Sequence, residues 1–165
     1  MTAYLLDANA LITAHRQWYG FDFCPGFWEW IVAQHAAGRV YSVARVEAEL
    51  LGADDQLASW ARQLPDGFFL RESDTEAAAF ANLATWARRQ NYQPAAVATF
   101  LQSADAALVA QAQARKSTVV TLEVRSGSPR IVKIPDACVG LNVDYLTPYA
   151  MLRREKARFI LGGPT

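Results

Sequence analysis

The sequence predicts an α/β fold around a mainly parallel sheet, and three observations carry that prediction. Short apolar or β-branched runs alternate with longer Ala- and Leu-rich stretches of helical spacing, the pattern of strand–helix–strand units. Start and stop signals, among them Pro25, Gly38, Ser73 and Pro94, fall at the joins between those runs. The 165 residues, 52% hydrophobic and 19% charged, suit one domain over residues 1–165 with a sizeable core.

Taken in order, the first strand covers residues 3–6, and a helix follows with Asp7 or Asn9 near its cap. The aromatic stretch "WYGFDFCPGFWEW" leads into a second helix with Pro25 in its first turn, ended near Ala37 by Gly38. "RVYSV" is the next strand. Residues 43–51 and 54–64 are helices, and Pro65-Asp66-Gly67 turns the chain into the short strand "FFLR". Residues 74–89 form an Ala-rich helix capped by Ser73 or Asp74, with Glu76 in its first turn. Pro94 opens a shorter helix to about Leu101. Residues 103–116 are the clearest helix and lead into "STVVTLE", a strongly β-branched strand. After the turn "SGSP", the run "RIVKI" reads as another strand and "PDACVGLN" as a short helix. Residues 143–145 read as an edge strand and "PYAMLRREKA" as the last helix.

Composition excludes several functions. The 16 basic and 16 acidic residues cancel, whereas a general polyanion binder carries an excess of base. The local patches Arg88-Arg89 and residues 153–158 read as solvated helix faces. Cys24 and Cys138 lie far apart with no CxxC, which excludes a local zinc motif, and two cysteines in 165 residues argue against a disulfide framework; each reads as a buried small apolar residue. His15 and His35 stand in no metal spacing. There is no Gly-rich phosphate loop and no His-centred triad, so covalent catalysis through Ser or Cys is poorly supported. No apolar run approaches the roughly 20 residues that span a bilayer. With no basic leader before Asp7, the expected location is the cytoplasm.

The chemistry-bearing signal is a set of carboxylates. Asp7 ends the first strand and Glu123 ends "TVVTLE", so neighbouring parallel strands would bring both to the carboxyl edge of the sheet, where such folds place their sites. Asp105 opens the helix "ADAALVAQAQA", and Glu47 and Glu49 lie on the helix after the second strand. Alone, each has an ordinary role: Asp7 as a helix cap, Asp105 as a complement to the helix dipole, the two glutamates as exposed helix acids. Together they repel one another and lose solvation, and a folded protein keeps such a group chiefly for a cation. Oxygen donors without His or Cys point to Mg²⁺ or Mn²⁺, which activates water and stabilises phosphodiester displacement.

These motifs resemble those of PIN-domain nucleases, in particular the VapC-type toxins of prokaryotic toxin–antitoxin pairs. "YLLDANALI" is similar to the opening strand, acid and D-x-N step of that family; "VARVEAELLG" to its V-x-x-E-L helix, favouring Glu49 over Glu47; "SADAALVAQA" to the helix bearing the third acid; "TVVTLEVR" to the strand bearing the fourth. The tail "VKIPDACVGLNVDYLTPYAML" resembles the closing segment of an uncharacterised PIN-like subgroup. The resemblance implies a three-layer α/β/α PIN-like fold with four or five strands. It also implies an endoribonuclease that hydrolyses single-stranded RNA with Mg²⁺ or Mn²⁺ held by Asp7, Glu49, Asp105 and Glu123. Asn9 would orient Asp7 or a metal-bound water, and Thr121 would hydrogen-bond within the acidic site. A protein antitoxin and a second copy of the chain are the implied partners, with no membrane, and exposed aromatics of residues 18–30 would supply part of that surface.

The chain departs from the family at its fourth acid, Glu123 in "TLE" where T-x-D is usual. Asp136, after Pro135, is a possible extra acid, with helix capping as its ordinary role. The departure, with the zero net charge, supports a second expectation: a catalytically weak PIN-like module that binds RNA or a partner.

Overall fold

The computed structural model describes residues 2–162. Its strands are β1 (Tyr4–Leu6), β2 (Val40–Val43), β3 (Phe69–Leu70), β4 (Thr118–Val120) and β5 (Tyr145–Leu146). The α-helices are α1 (Ala8–Thr13), α2 (Pro25–Ala36), α3 (Ala44–Leu51), α4 (Gln56–Arg62), α5 (Asp74–Arg89), α6 (Pro94–Leu101), α7 (Ala104–Arg115), α8 (Ile134–Leu141) and α9 (Pro148–Arg154); α1 continues into a π-helical turn, Ala14–Trp18. All strand pairings are parallel, in the order β3-β2-β1-β4-β5. The α/β class expected from the sequence is the one found.

Burial explains why the sheet must be covered on both faces. Successive strand residues point to opposite sides, yet Tyr4, Leu5 and Leu6 are all buried, as are Thr118, Val119 and Val120. Only a layer of helices on each side satisfies both. The register sets Leu5 opposite Tyr41 on one side and opposite Val119 on the other, which aligns the carboxyl ends of the central strands. Chain order reverses direction across β1, so a crevice opens beyond the carboxyl ends of β1 and β4, the place where open parallel sheets hold their ligands.

The helix α7 is the most deeply set: Ala106 to Ala112 are buried without interruption, and α7 packs against α5, α8 and the sheet. Its alanines let neighbouring backbones approach closely, with Leu108 and Val109 filling the remaining space. Lys116 closes it in the left-handed region at φ 54°, which turns the chain sharply into β4. The aromatic stretch resolves into core and surface. Phe27 and Trp28 are buried, with Phe21 stacked on Trp28 and Trp60 meeting it edge to face, whereas Phe23 is 67% exposed.

One element differs from the sequence reading. "RIVKI" is not a strand: residues 121–133 run as an irregular segment, and Ile134 already belongs to α8. The side of β4 away from β1 is taken by β5, with Val119 opposite Tyr145, so the run that follows β4 does not pair back onto it. The segment's backbone donors go to side chains instead. Ser128 N–H meets Ser126 Oγ, Arg130 N–H meets Ser128 Oγ, and Ser126 N–H meets Asp136 Oδ2. The edge strand falls at Tyr145–Leu146 rather than residues 143–145, and the last helix stops at Arg154. Among the described residues, no helix is long and apolar enough to cross a membrane.

Candidate active site

Asp7 is the first residue past β1, only 3% exposed, and its N–H donates to Val120 O at 2.9 Å, so the sheet ladder itself fixes it beside the end of β4. It stands at the N-cap position of α1 but makes no side-chain capping bond. Its carboxylate instead accepts the Thr121 hydroxyl, Oγ1 to Oδ2 at 2.8 Å. Thr121 Oγ1 in turn accepts Glu123 N–H at 3.1 Å, fixing the turn that carries Glu123. Asn9 Oδ1 accepts Leu122 N–H at 3.3 Å and so ties α1 to the same turn, rather than touching Asp7 directly.

Asp105 comes from the first turn of α7. Ser103 caps that helix, accepting Ala106 N–H at 3.4 Å, so the Asp105 carboxylate is released from capping. Glu49 is exposed on α3 and acts electrostatically on Asp105, whereas Glu47 faces a separate hollow with Arg62 and Asp66. The helical 100° step separates two acids that look equivalent in sequence.

Electrostatics show how strained this gathering of charge is. Burial, then the negative charges of Asp105 and Glu123, push Asp7 up to about 7, against the opposing Thr121 hydrogen bond. Burial and then Glu123 and Glu49 push Asp105 up to about 6, with Lys133 pulling the other way. Neither Asp7 nor Asp105 forms an ion pair with a basic side chain among the described residues. Carboxylates drawn together out of water with no ion-pair partner are what a hard cation neutralises, so the donor chemistry fits Mg²⁺ or Mn²⁺. Among the described residues, no three such groups stand at ready-made metal-ligand spacing.

Glu123 is held differently. Its Oε2 accepts Ile134 N–H at 2.8 Å and its Oε1 lies 3.8 Å from Lys133 Nζ. The N-cap residue of α8, Lys133, offers no side-chain capping bond, and Glu123 supplies the charge-assisted acceptor from outside. Glu at this position, with one methylene more than Asp, reaches the first turn of α8. Glu123→Asp is therefore expected to lower stability by about 1–3 kcal/mol, seen as a lower urea midpoint at unchanged slope; an unmoved midpoint would remove this account of the residue.

Asp136 is not brought to the acids. Its Oδ1 accepts Arg125 Nε and its Oδ2 accepts Ser126 N–H, both at 2.9 Å, so both oxygens anchor the segment that follows β4. Cys138 is fully buried and its thiol is pushed up to about 12 by burial, which leaves it inert as a nucleophile. Beside the acids opens a cavity of about 320 Å³, walled by Asp105, Glu123, Thr99 and Ser103, with Gln93 and Arg130 also lining it. Sequence reading missed Lys133 and Arg130, because both lie in the run taken for a strand. The signal that could have found them is the turn sequence "SGSP" directly before it.

A family model described as a domain of unknown function, DUF4411, matches residues 4–159. No curated protein matches the chain. Among solved structures it is similar to the crystal structure of FitAcB from Neisseria gonorrhoeae, with 21% identity and a TM-score of 0.54, over 88% of this chain and 98% of that one. At this identity the likeness speaks for the fold.

Proposed function

We propose, for a chain that belongs to the DUF4411 family of domains of unknown function, that the acidic crevice is the active site of a metal-dependent endoribonuclease acting on single-stranded RNA. The observation that carries the reading is the pair of carboxylates, buried Asp7 and half-buried Asp105, gathered at the reversal point of the sheet with no ion-pair partner among the described residues. The PIN-like fold and the family resemblance of the four acidic segments support it, and they extend it to the toxin of a toxin–antitoxin pair with a protein antitoxin as partner.

Asp7, Asp105 and Glu49, with Glu123 beside them, would hold Mg²⁺ or Mn²⁺. Once bound, the cation acidifies a water and neutralises charge on the phosphodiester. The chain's own residues do the rest. Thr121 holds one Asp7 oxygen and favours its ionised form. Lys133 offsets the charge of Glu123, so that the crevice admits a phosphate despite its acids. Arg130, exposed at the rim of the cavity, is placed to meet the RNA backbone.

The test is cleavage of end-labelled single-stranded RNA in Mg²⁺, Mn²⁺ or EDTA. Cleavage that needs the divalent ion is expected, and cleavage indifferent to chelation would sink the proposal. At fixed ion concentration, the rate should rise as pH climbs through about 6 to 7, because Asp105 and Asp7 must lose their protons before a cation can bind.

One observation favours the second reading, a catalytically weak RNA- or partner-binding module. Glu123 is already engaged by Ile134 and Lys133, which leaves one acid fewer for a cation. Calorimetry with Mn²⁺ separates the two, since the module predicts no saturable binding at millimolar concentration.

A further inference from the structure

A second hollow, of about 390 Å³, lies on the far side of the segment that borders the acidic cavity. Trp86 and Gln90 from the end of α5, Asn91 and Tyr92 just beyond it, and Arg125 form its walls, with α8 at its back. The two hollows adjoin at one backbone bond, Gln93 N–H to Pro129 O at 2.8 Å: Gln93 lines the acidic cavity, while Pro129 and neighbouring Tyr92 line this one.

The chemistry of the walls is selective. Trp86 and Tyr92 stand edge to face, ring centroids 6.0 Å apart, and both are only half-buried, which leaves aromatic surface free. Gly140 makes the seat of Trp86: a Cβ there would lie 2.0 Å from the indole Nε1, so any larger residue would displace the ring. The indole N–H has no hydrogen-bond partner among the described residues. Arg125 binds Asp136 through Nε alone, is 60% exposed, and keeps its other guanidinium donors for a ligand. Asp136 is neutralised by that contact, so the hollow offers rings, amides and a cation rather than free negative charge. This is the equipment for one unpaired base and its phosphate.

We infer that this hollow is a base-binding subsite for a nucleotide flanking the cleaved bond of single-stranded RNA, a reading that rests on the nuclease proposal above. The base lies against Trp86 or Tyr92, Asn91 faces its edge, and Arg125 and Arg130 meet the phosphates on either side. Duplex RNA cannot present a free base there and is discriminated against.

The experiment titrates the full chain into a fluorescein-labelled RNA octanucleotide, followed by anisotropy with EDTA present so that the RNA stays intact. Tyr92→Ala and Trp86→Leu should each weaken binding about 5- to 100-fold, Tyr92→Phe should bind as the parent does, and the same octanucleotide in duplex form should bind at least about tenfold more weakly. Affinity within twofold of the parent in both aromatic variants overturns the subsite, as does equal binding of duplex or no RNA binding by the parent. If Trp86→Leu fails to fold, Tyr92→Ala decides alone, because its ring is half-exposed and carries little of the core. Cleavage by the parent in Mg²⁺, measured in parallel, keeps the two proposals apart. Cleavage with unmoved affinities overturns the subsite only, and aromatic-dependent binding without cleavage overturns the nuclease only.

Discussion

Asp7→Asn is expected to abolish most RNA cleavage while making the protein harder to unfold. Removing one buried charge from a cation site should cost on the order of 10²- to 10³-fold in rate, the equivalent of several kcal/mol of transition-state stabilisation. Stability moves the other way because the wild-type carboxylate is raised from an ordinary value of 3.8 to about 7. A group raised in the folded state contributes its full stability below the unfolded value and loses it as pH rises to the folded one. The window is therefore about pH 4 to 7, and the loss amounts to roughly 4 kcal/mol at most, at about 1.4 kcal/mol per unit. Asn removes that loss and can still accept the Thr121 hydroxyl. Urea unfolding at pH 7.5 without divalent ion should show the variant more stable, and the gap should close toward pH 4. Mn²⁺ should then stabilise the wild type and leave the variant unmoved. A variant no more stable than wild type at pH 7.5 would show that Asp7 is not held under electrostatic strain.

Leu108→Ala should give the largest loss of stability of any single change near the site, about 2–5 kcal/mol. Leu108 is fully buried on α7, a helix of mostly small side chains that packs against α5, α8 and the sheet, so its removal leaves a cavity in the core. For a domain of ordinary stability, about 5–15 kcal/mol in total, that is a large fraction. The same helix presents Asp105 one turn earlier, so Mn²⁺ affinity should fall with stability in this variant. Asp105→Asn, by contrast, should lose affinity without destabilising. A Leu108→Ala loss below about 1 kcal/mol would mean that α7 repacks freely.

How much of this was legible in the sequence depends on whether a residue's role is local. The run of strand, acid and helix around Asp7 is local, as is the first turn of α7, and the structure places both as read. Glu49 could be preferred to Glu47 only through the family resemblance, because their difference lies in which way α3 faces the sheet. Asn9 is expected from the resemblance to orient Asp7 or a metal-bound water; that its Oδ1 also holds Leu122 N–H is a contact between residues 113 apart in sequence that no local pattern encodes. "RIVKI" misled because β-branched residues report a fit to a pleated surface, and here β5 already occupies the only surface on that side. That error concealed Arg130 and Lys133. It likewise obscured what Glu123 holds, since its partner is the N–H of Ile134, a residue assigned to the wrong element.

The central pairing of β1 with β4 also has a consequence in time. Asp7 and the threonine that holds it are 114 residues apart, and synthesis at about 5–20 residues per second separates their appearance by roughly 6–20 s. Until β4 is made, the first strand has no partner on that side, Asp7 has no hydroxyl to receive, and Asp105 and Glu123 have no common edge to share. A growing chain therefore carries its acids dispersed, and they can share one edge only once β4 and Glu123 have been made. On the nuclease reading proposed above, the order of the strands in the sheet would itself keep the message being translated beyond reach of the half-made chain.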